Sequence, residues 1–230
     1  MNELLLIASL LVVYGSVLLA FKLFGKTGLY CFTCIATITA NIEVLILVDA
    51  FGMEQTLGNI LFASTFLVTD ILSEVAGKKE AQKAVNIGIF TSVIFIFISQ
   101  SWLLYHPSVN DWAQEPIRTI FSNTPRLMVV SVVVYAICQR FDVWAYHKWW
   151  AFTKDKFGGD SKKFLWLRNN GSTLLSQLLN TVLYTFGAFW GMYELPVLVN
   201  IAMASYVIFI VTSLADTPFV YLARKINEKK

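Results

Sequence analysis

The chain is predicted to be an all-α, polytopic membrane helix bundle of about seven transmembrane helices, forming one domain over residues 1–230. Three observations carry that prediction. Of 230 residues, 57% are hydrophobic and only 14% charged, with a mean hydropathy of +0.62; a soluble domain carries about 25% charged residues. Apolar runs close to the roughly 20 residues that span a bilayer recur along the whole sequence. The Lys and Arg residues between those runs alternate between dense and sparse loops, as the positive-inside rule requires.

The seven runs are residues 4–24, 29–51, 57–75, 85–105, 126–147, 170–190 and 196–222. The third and sixth are the most polar. No basic region precedes the first and no small-residue cleavage site follows it, so it reads as a span and not a signal peptide. Lys22 and Lys26 follow span 1; Lys78, Lys79 and Lys83 follow span 3. Lys148, Lys154, Lys156, Lys162, Lys163 and Arg168 follow span 5, and Arg224, Lys225, Lys229 and Lys230 follow span 7. That places fifteen cations on one side against Arg118 and Arg126 on the other, with Arg140 inside a span. The expected topology has the amino terminus outside, the carboxyl terminus in the cytoplasm, and multiple passes through the membrane. The net charge of +3 is then a topology signal and not a nucleic-acid footprint. Residues 105–125, with Trp112, Ile117, Ile120 and Phe121, form a mildly amphipathic outer loop that lies on the surface or covers an entrance.

Polar residues inside the spans are the candidates for function, because amides and carboxylates find no partners in hydrocarbon. On span 6, Asn170, Thr173, Gln177, Asn180 and Tyr184 fall within an arc of about 80°. Span 3 aligns Asp70 and Glu74 with Asn59, Ala63 and Gly77. Span 5 aligns Ser131, Tyr135, Cys138, Asp142 and Tyr146, and span 7 aligns Ser205, Phe209, Thr212 and Asp216. Span 2 carries Asn41 and Glu43, about 200° apart and so unable to face one cavity together. Asp70, Glu74, Arg140, Asp142, Arg168, Asn169 and Asp216 lie toward the cytoplasmic ends, and either pair as a structural cluster or form an inner gate. Asn41, Glu43, Gln177 and Asn180 lie nearer mid-depth, where solute contact is the favoured reading.

Other features read as packing. Gly187-x-x-x-Gly191 and Ala36-x-x-x-Ala40 allow close helix approach. Cys31 and Cys34 lie in an apolar helix as small buried side chains. His106 and His147 sit at opposite depths, too far apart for a metal pair, and residues 24–28 lack the glycine that a phosphate-binding loop needs. No metal and no cofactor is expected. The motifs of intramembrane or soluble hydrolases are missing, which leaves an enzyme built on Asp70 with Asp142 or Asp216 as a remote alternative. A purely structural assembly subunit is another.

Four segments in register resemble the queuosine precursor transporter family, also grouped as vitamin-uptake-type transporters. They are FASTFLVTDILSEVAGKKEA (62–81), TPRLMVVSVVVY (124–135), FDVWAYHK (141–148) and LWLRNNGSTLLSQLLNT (165–181). The resemblance runs from about residue 40 to the end of span 6. It implies uptake of 7-cyano-7-deazaguanine or its 7-aminomethyl relative, and a fold similar to the substrate-binding components of energy-coupling-factor vitamin transporters. Position by position it marks Asp70, Glu74, Arg126, Asp142, Arg168, Asn169, Ser172, Thr173 and Gln177, with Asn41. In the family the Ser-Gln run is usually followed by an Asp-Thr pair; here that Asp position is Asn180, which cannot release a proton.

On that basis Asn41, Gln177 and Asn180 are expected to read the base, with Glu43 or Asp70 accepting from its donors and Thr173 beside them. Phe66, Tyr135, Phe209 and Tyr184 offer an aromatic slot. Glu74, Arg126, Arg140, Asp142, Arg168, Asn169 and Asp216 are the gate or coupling set. The expected partners are a small-molecule substrate and the lipid bilayer, with no nucleic acid. Two mechanisms stay open: a carrier, alone or as a homodimer and driven by protons, or a capture subunit for a separate ATP-driven module.

Overall fold

In the computed structural model, residues 1–122, 125–156 and 164–229 are described. Thr124, Lys162, Lys163, Lys230 and the Lys156 side chain, which entered the motif and charge arguments, lie outside the described residues. The elements run α1 (Asn2–Glu43), β1 (Leu47–Ala50), β2 (Met53–Thr56), α2 (Gly58–Val75), α3 (Lys78–Trp102), α4 (Gln114–Phe121), α5 (Pro125–Lys156), α6 (Leu165–Phe189) and α7 (Leu195–Asn227).

Helix α1 is two spans joined by a hinge. A straight helix of 42 residues would measure about 63 Å. Yet Asn2 Nδ2 donates to the Asp49 carbonyl at 2.9 Å, and the Phe51 N–H reaches Glu3 Oε1 at 3.4 Å. The chain therefore folds back on itself at Gly25, whose φ of 60° and ψ of −140° only glycine adopts freely. The two arms, residues 2–24 and 26–43, close against each other at Gly28. A Cβ added there would stand 2.2 Å from the Ala20 carbonyl oxygen. With α1 counted as two arms, seven long helical segments make up the bundle.

The second expected span, residues 29–51, is too long. Its helix ends at Glu43, and residues 47–56 form an antiparallel hairpin in which Leu47 faces Thr56 and Asp49 faces Glu54. The run VLILV carries no periodicity to separate strand from helix, and the turn decides it. Phe51 and Gly52 both have positive φ, 54° and 73°, the geometry of a type I′ hairpin. Alternation then splits the hairpin into two faces. Val48 and Ala50 pack on Leu6, Leu10 and Val13 of the first arm. Leu47, Asp49, Glu54 and Thr56 occupy the other face.

Among the described residues, five helices are long and apolar enough to cross a membrane: α1, α2, α3, α5 and α7. Helix α2 sits at the centre, with every residue from Ala63 to Ser73 buried. A helix enclosed by protein on all sides need not be apolar toward lipid, which explains the weak hydropathy of this span. Helix α6 is more polar still. It buries Arg168, Asn169, Ser172, Thr173, Ser176, Gln177 and Asn180 against α2, α5 and α7. Short α4 lies across the hairpin end, anchored by Phe121 against Phe95, Trp102 and Met128. Exposed apolar residues, among them Leu11, Leu19, Phe90, Phe97 and Val211, form the lipid-facing perimeter.

The Gly28 contact yields a prediction. Gly28→Leu forces the arms of α1 apart against a backbone atom that cannot rotate away, and should destabilise the protein by about 1–3 kcal/mol. Melting in detergent checks it; an unchanged melting temperature would contradict the close approach.

Candidate functional site: a polar cavity above two buried charged layers

Three polar layers stack along the bundle axis, because the stripes of α2, α5, α6 and α7 all turn inward. The first lies at the basic end. Glu74 of α2 accepts from Arg168 Nη2 at 2.7 Å and Nε at 3.1 Å, and from the Tyr146 hydroxyl at 2.7 Å. Arg224 of α7 approaches the same carboxylate at 3.6 Å. The Arg168 guanidinium also lies 4.3 Å from the centre of the Trp150 ring, a cation–π contact. The Arg168 and Glu74 side chains are 0% and 4% exposed, and their cluster ties α2, α5, α6 and α7 together.

One turn along α2 begins the second layer. Asp70 accepts from Thr173 Oγ1 at 3.0 Å, Asp142 from Ser176 Oγ at 2.8 Å, and Asp216 from Asn169 Nδ2 at 2.6 Å. All three carboxyls are buried, and Asp70 and Asp142 are within hydrogen-bonding reach of each other. Among the described residues none of the three forms an ion pair. One oxygen of each of Asp70 and Asp142, and Asn169 Oδ1, has no hydrogen-bond partner among the described residues. Beside this layer Gln139 donates to Thr65 Oγ1 at 2.7 Å and accepts from Thr69 at 3.1 Å.

The third layer, at the hairpin end, is a cavity of about 290 Å³. That is close to the lower end of the roughly 300–1,000 Å³ of small-molecule sites. Asn59 and Phe62 of α2, Ser131 of α5, Asn180, Thr181 and Tyr184 of α6, and Ser205 and Phe209 of α7 line it. Ala40 and Val44 supply an apolar side, and Leu47, Glu54, Gln55 and Thr56 form its roof. Phe62 anchors an aromatic cluster, with ring centres 6.1 Å from both Tyr135 and Phe209. The Thr181 and Tyr184 hydroxyls are buried without a hydrogen-bond partner, and the Asn180 amide makes no hydrogen bond among the described residues. The arrangement offers an aromatic slot and free donors and acceptors, which suits a flat polar heterocycle.

The expected base-reading residues separate in the structure. Asn180 and Tyr184 line the cavity. Thr173 and Asp70 bond to each other in the layer beneath, and Gln177 is buried with Oε1 unpartnered. Asn41 is not on the lining; its amide folds back onto the Thr37 carbonyl at 2.7 Å. Glu43 is half-buried at the end of α1, also off the lining. Phe66 belongs to the core with Val134 and Cys138, and Phe62, one turn nearer the cavity, takes its place. Tyr135 is turned toward α3, where its hydroxyl fills the space beside Gly88.

The gate set divides likewise. Glu74 and Arg168 form the first layer, and Asp142, Asn169 and Asp216 belong to the second. Arg126 is at the opposite end, donating to the Gly187 and Trp190 carbonyls at 3.0 and 2.9 Å, where it caps the carboxyl end of α6. Arg140 is exposed and bonds Asn86 Oδ1 at 3.2 Å. Both stand apart because an arginine side chain acts only within its own layer of the bundle.

Sequence reasoning missed the roof and Gln139. The roof residues 54–56 read as a plain turn, although Phe51-Gly52 between apolar segments carried the hairpin signal. Gln139 was legible as an amide in an otherwise apolar run, but it lies about 100° off the Cys138 stripe.

Comparison with known proteins agrees with this architecture. Residues 56–223 match the family described as "Putative vitamin uptake transporter". The chain is 38% identical over 209 residues to the "Probable queuosine precursor transporter" of Bacillus subtilis (strain 168), covering 91% of this chain and 89% of that protein. No solved structure matches. With most of its length matched by the family and a relative of this identity along nearly the whole chain, the protein belongs to the vitamin uptake transporter family and is a multi-pass membrane transporter.

Proposed function

We propose that the chain imports a queuosine precursor, 7-cyano-7-deazaguanine or its 7-aminomethyl relative, across the inner (plasma) membrane. The observation that carries this reading is the cavity itself: an aromatic slot lined by Asn180, Thr181 and Tyr184, whose side-chain polar groups have no protein hydrogen-bond partner among the described residues. Identity to a relative named for that substrate class supports it. A guanine-like edge presents N–H donors beside a carbonyl acceptor, and the amides of Asn59 and Asn180 offer both complements.

The distribution of Lys and Arg supports an amino terminus outside and a carboxyl terminus in the cytoplasm. The cavity then faces outward, and the Glu74–Arg168 layer closes the cytoplasmic side. The carrier works alone or as a homodimer and is driven by protons. The Asp70–Asp142–Asp216 layer lies between cavity and gate, and two carboxyls in hydrogen-bonding reach of each other satisfy both only by sharing a proton. Protonation and substrate together favour the state in which Glu74 and Arg168 part, since a ligand shifts a conformational equilibrium only by its differential affinity.

Three expected outcomes follow from this reading. Asn180→Ala removes one or two hydrogen bonds to the base, worth about 1–2 kcal/mol, and should weaken substrate affinity roughly five- to thirtyfold in radiolabel uptake; wild-type affinity would remove Asn180 from the site. Arg168→Met strips Glu74 of its closest cation, leaving the Tyr146 hydroxyl and Arg224 at 3.6 Å, and should lower stability by about 3 kcal/mol. Adding Glu74→Met should restore melting but not uptake, and restored uptake would make the pair purely structural. In cells lacking any energy-coupling ATPase, uptake should persist and collapse with a protonophore. Uptake that appears only when such an ATPase module is supplied would identify a capture subunit instead.

A further inference from the structure

Among the described residues, Glu54 is the one aspartate or glutamate lining the cavity, and no Lys or Arg lines it. It projects from β2 on the roof. Its register partner is Asp49, and residues directly opposite in an antiparallel pair share a face. The Leu47–Thr56 pair lines the cavity, and Asp49 and Glu54 lie two residues further along the same strands on the same face. Like charges opposed across a hairpin repel and destabilise it. Among the described residues neither carboxylate has an ion-pair partner; the amino terminus, which lies at this end, is paired with Glu3. Glu54 also borders a side groove formed with Met53, Asn200, Ile201 and Met203, so it stands at the rim between the cavity and that groove.

Below the rim the side chains are neutral. Thr181, 3% exposed, lines the same space, and its buried hydroxyl lacks a partner among the described residues. The cavity thus has two chemistries: amides, hydroxyls and aromatic rings below, and uncompensated negative charge at the roof.

We propose that Glu54, supported by Asp49, is a specificity-determining residue that takes the positively charged amine of a cationic heterocycle. It makes the site select the 7-aminomethyl base over the neutral 7-cyano one. This rests on the reading of the cavity as a deazaguanine site. The planar ring lies between Phe62, Phe209 and Tyr184, its polar edge meets the amides, and its exocyclic arm points to the roof. A primary alkylamine is protonated at neutral pH, as a lysine side chain is. One such charge relieves the Asp49–Glu54 repulsion and forms a charge-assisted hydrogen bond, which a nitrile cannot do. The neutral base edge would leave the repulsion in place, and the amides below already complement it.

The test is equilibrium binding of both bases to purified wild type, Glu54→Gln and Asp49→Asn in lipid nanodiscs. Melting of each without ligand verifies folding. Wild type should bind the aminomethyl base at least about tenfold tighter than the cyano base. Glu54→Gln should erase that preference by weakening the amine alone about tenfold, a size typical of one charge-assisted bond, and Asp49→Asn should do so in smaller measure. Equal weakening of both bases, or no change in either, overturns the assignment while leaving the transporter reading intact. Failure of wild type to bind either base overturns the deazaguanine reading, and this inference with it.

Discussion

Hydrocarbon offers no hydrogen bonds, and that constraint arranges α2 and α6. Each carries more polar side chains than a lipid-facing helix tolerates, so each must be enclosed. Helix α2 is buried on all sides, and α6 turns its amides and hydroxyls onto α2, α5 and α7. The apolar α1, α3 and the outer faces of α5 and α7 take up the lipid contact. Once the polar stripes point inward they meet in layers, and the layers become the functional axis.

The layers differ in how their polar groups are satisfied. Glu74 and Arg168 complete each other with good geometry, which makes that end a closed bolt. The three aspartates are held by neutral donors and retain unpartnered oxygens, so the middle is held less completely. At the hairpin end the buried hydroxyls of Thr181 and Tyr184, on residues that line the cavity, remain without a partner among the described residues. Order at one end and unspent bonding capacity at the other give the bundle a direction.

Much of this was legible in the sequence. Asn59 on α2, Ser131 on α5, Asn180 and Tyr184 on α6, and Ser205 and Phe209 on α7 were placed on inward stripes by helical period, and they meet on one cavity wall. Helical angle predicts facing well, but it does not predict depth. Phe66 and Phe62 share a face of α2, and only packing decides that Phe62 reaches the cavity. Asn41 had the right depth but turns its amide nitrogen onto a carbonyl of its own helix, an option invisible to periodicity. The hairpin was hidden because VLILV reads equally as strand or buried helix, and with it went Glu54.

The central claim is that a planar base occupies the space between Phe62, Asn180, Tyr184 and Phe209. Filling that space tests it most directly. Ser205→Trp places an indole in the cavity from α7, away from both charged layers. The account predicts that deazaguanine raises the melting temperature of wild type in a concentration-dependent way, and that Ser205→Trp melts normally without ligand but gains nothing from it. An equal ligand-induced rise in Ser205→Trp would contradict the account and place the base elsewhere.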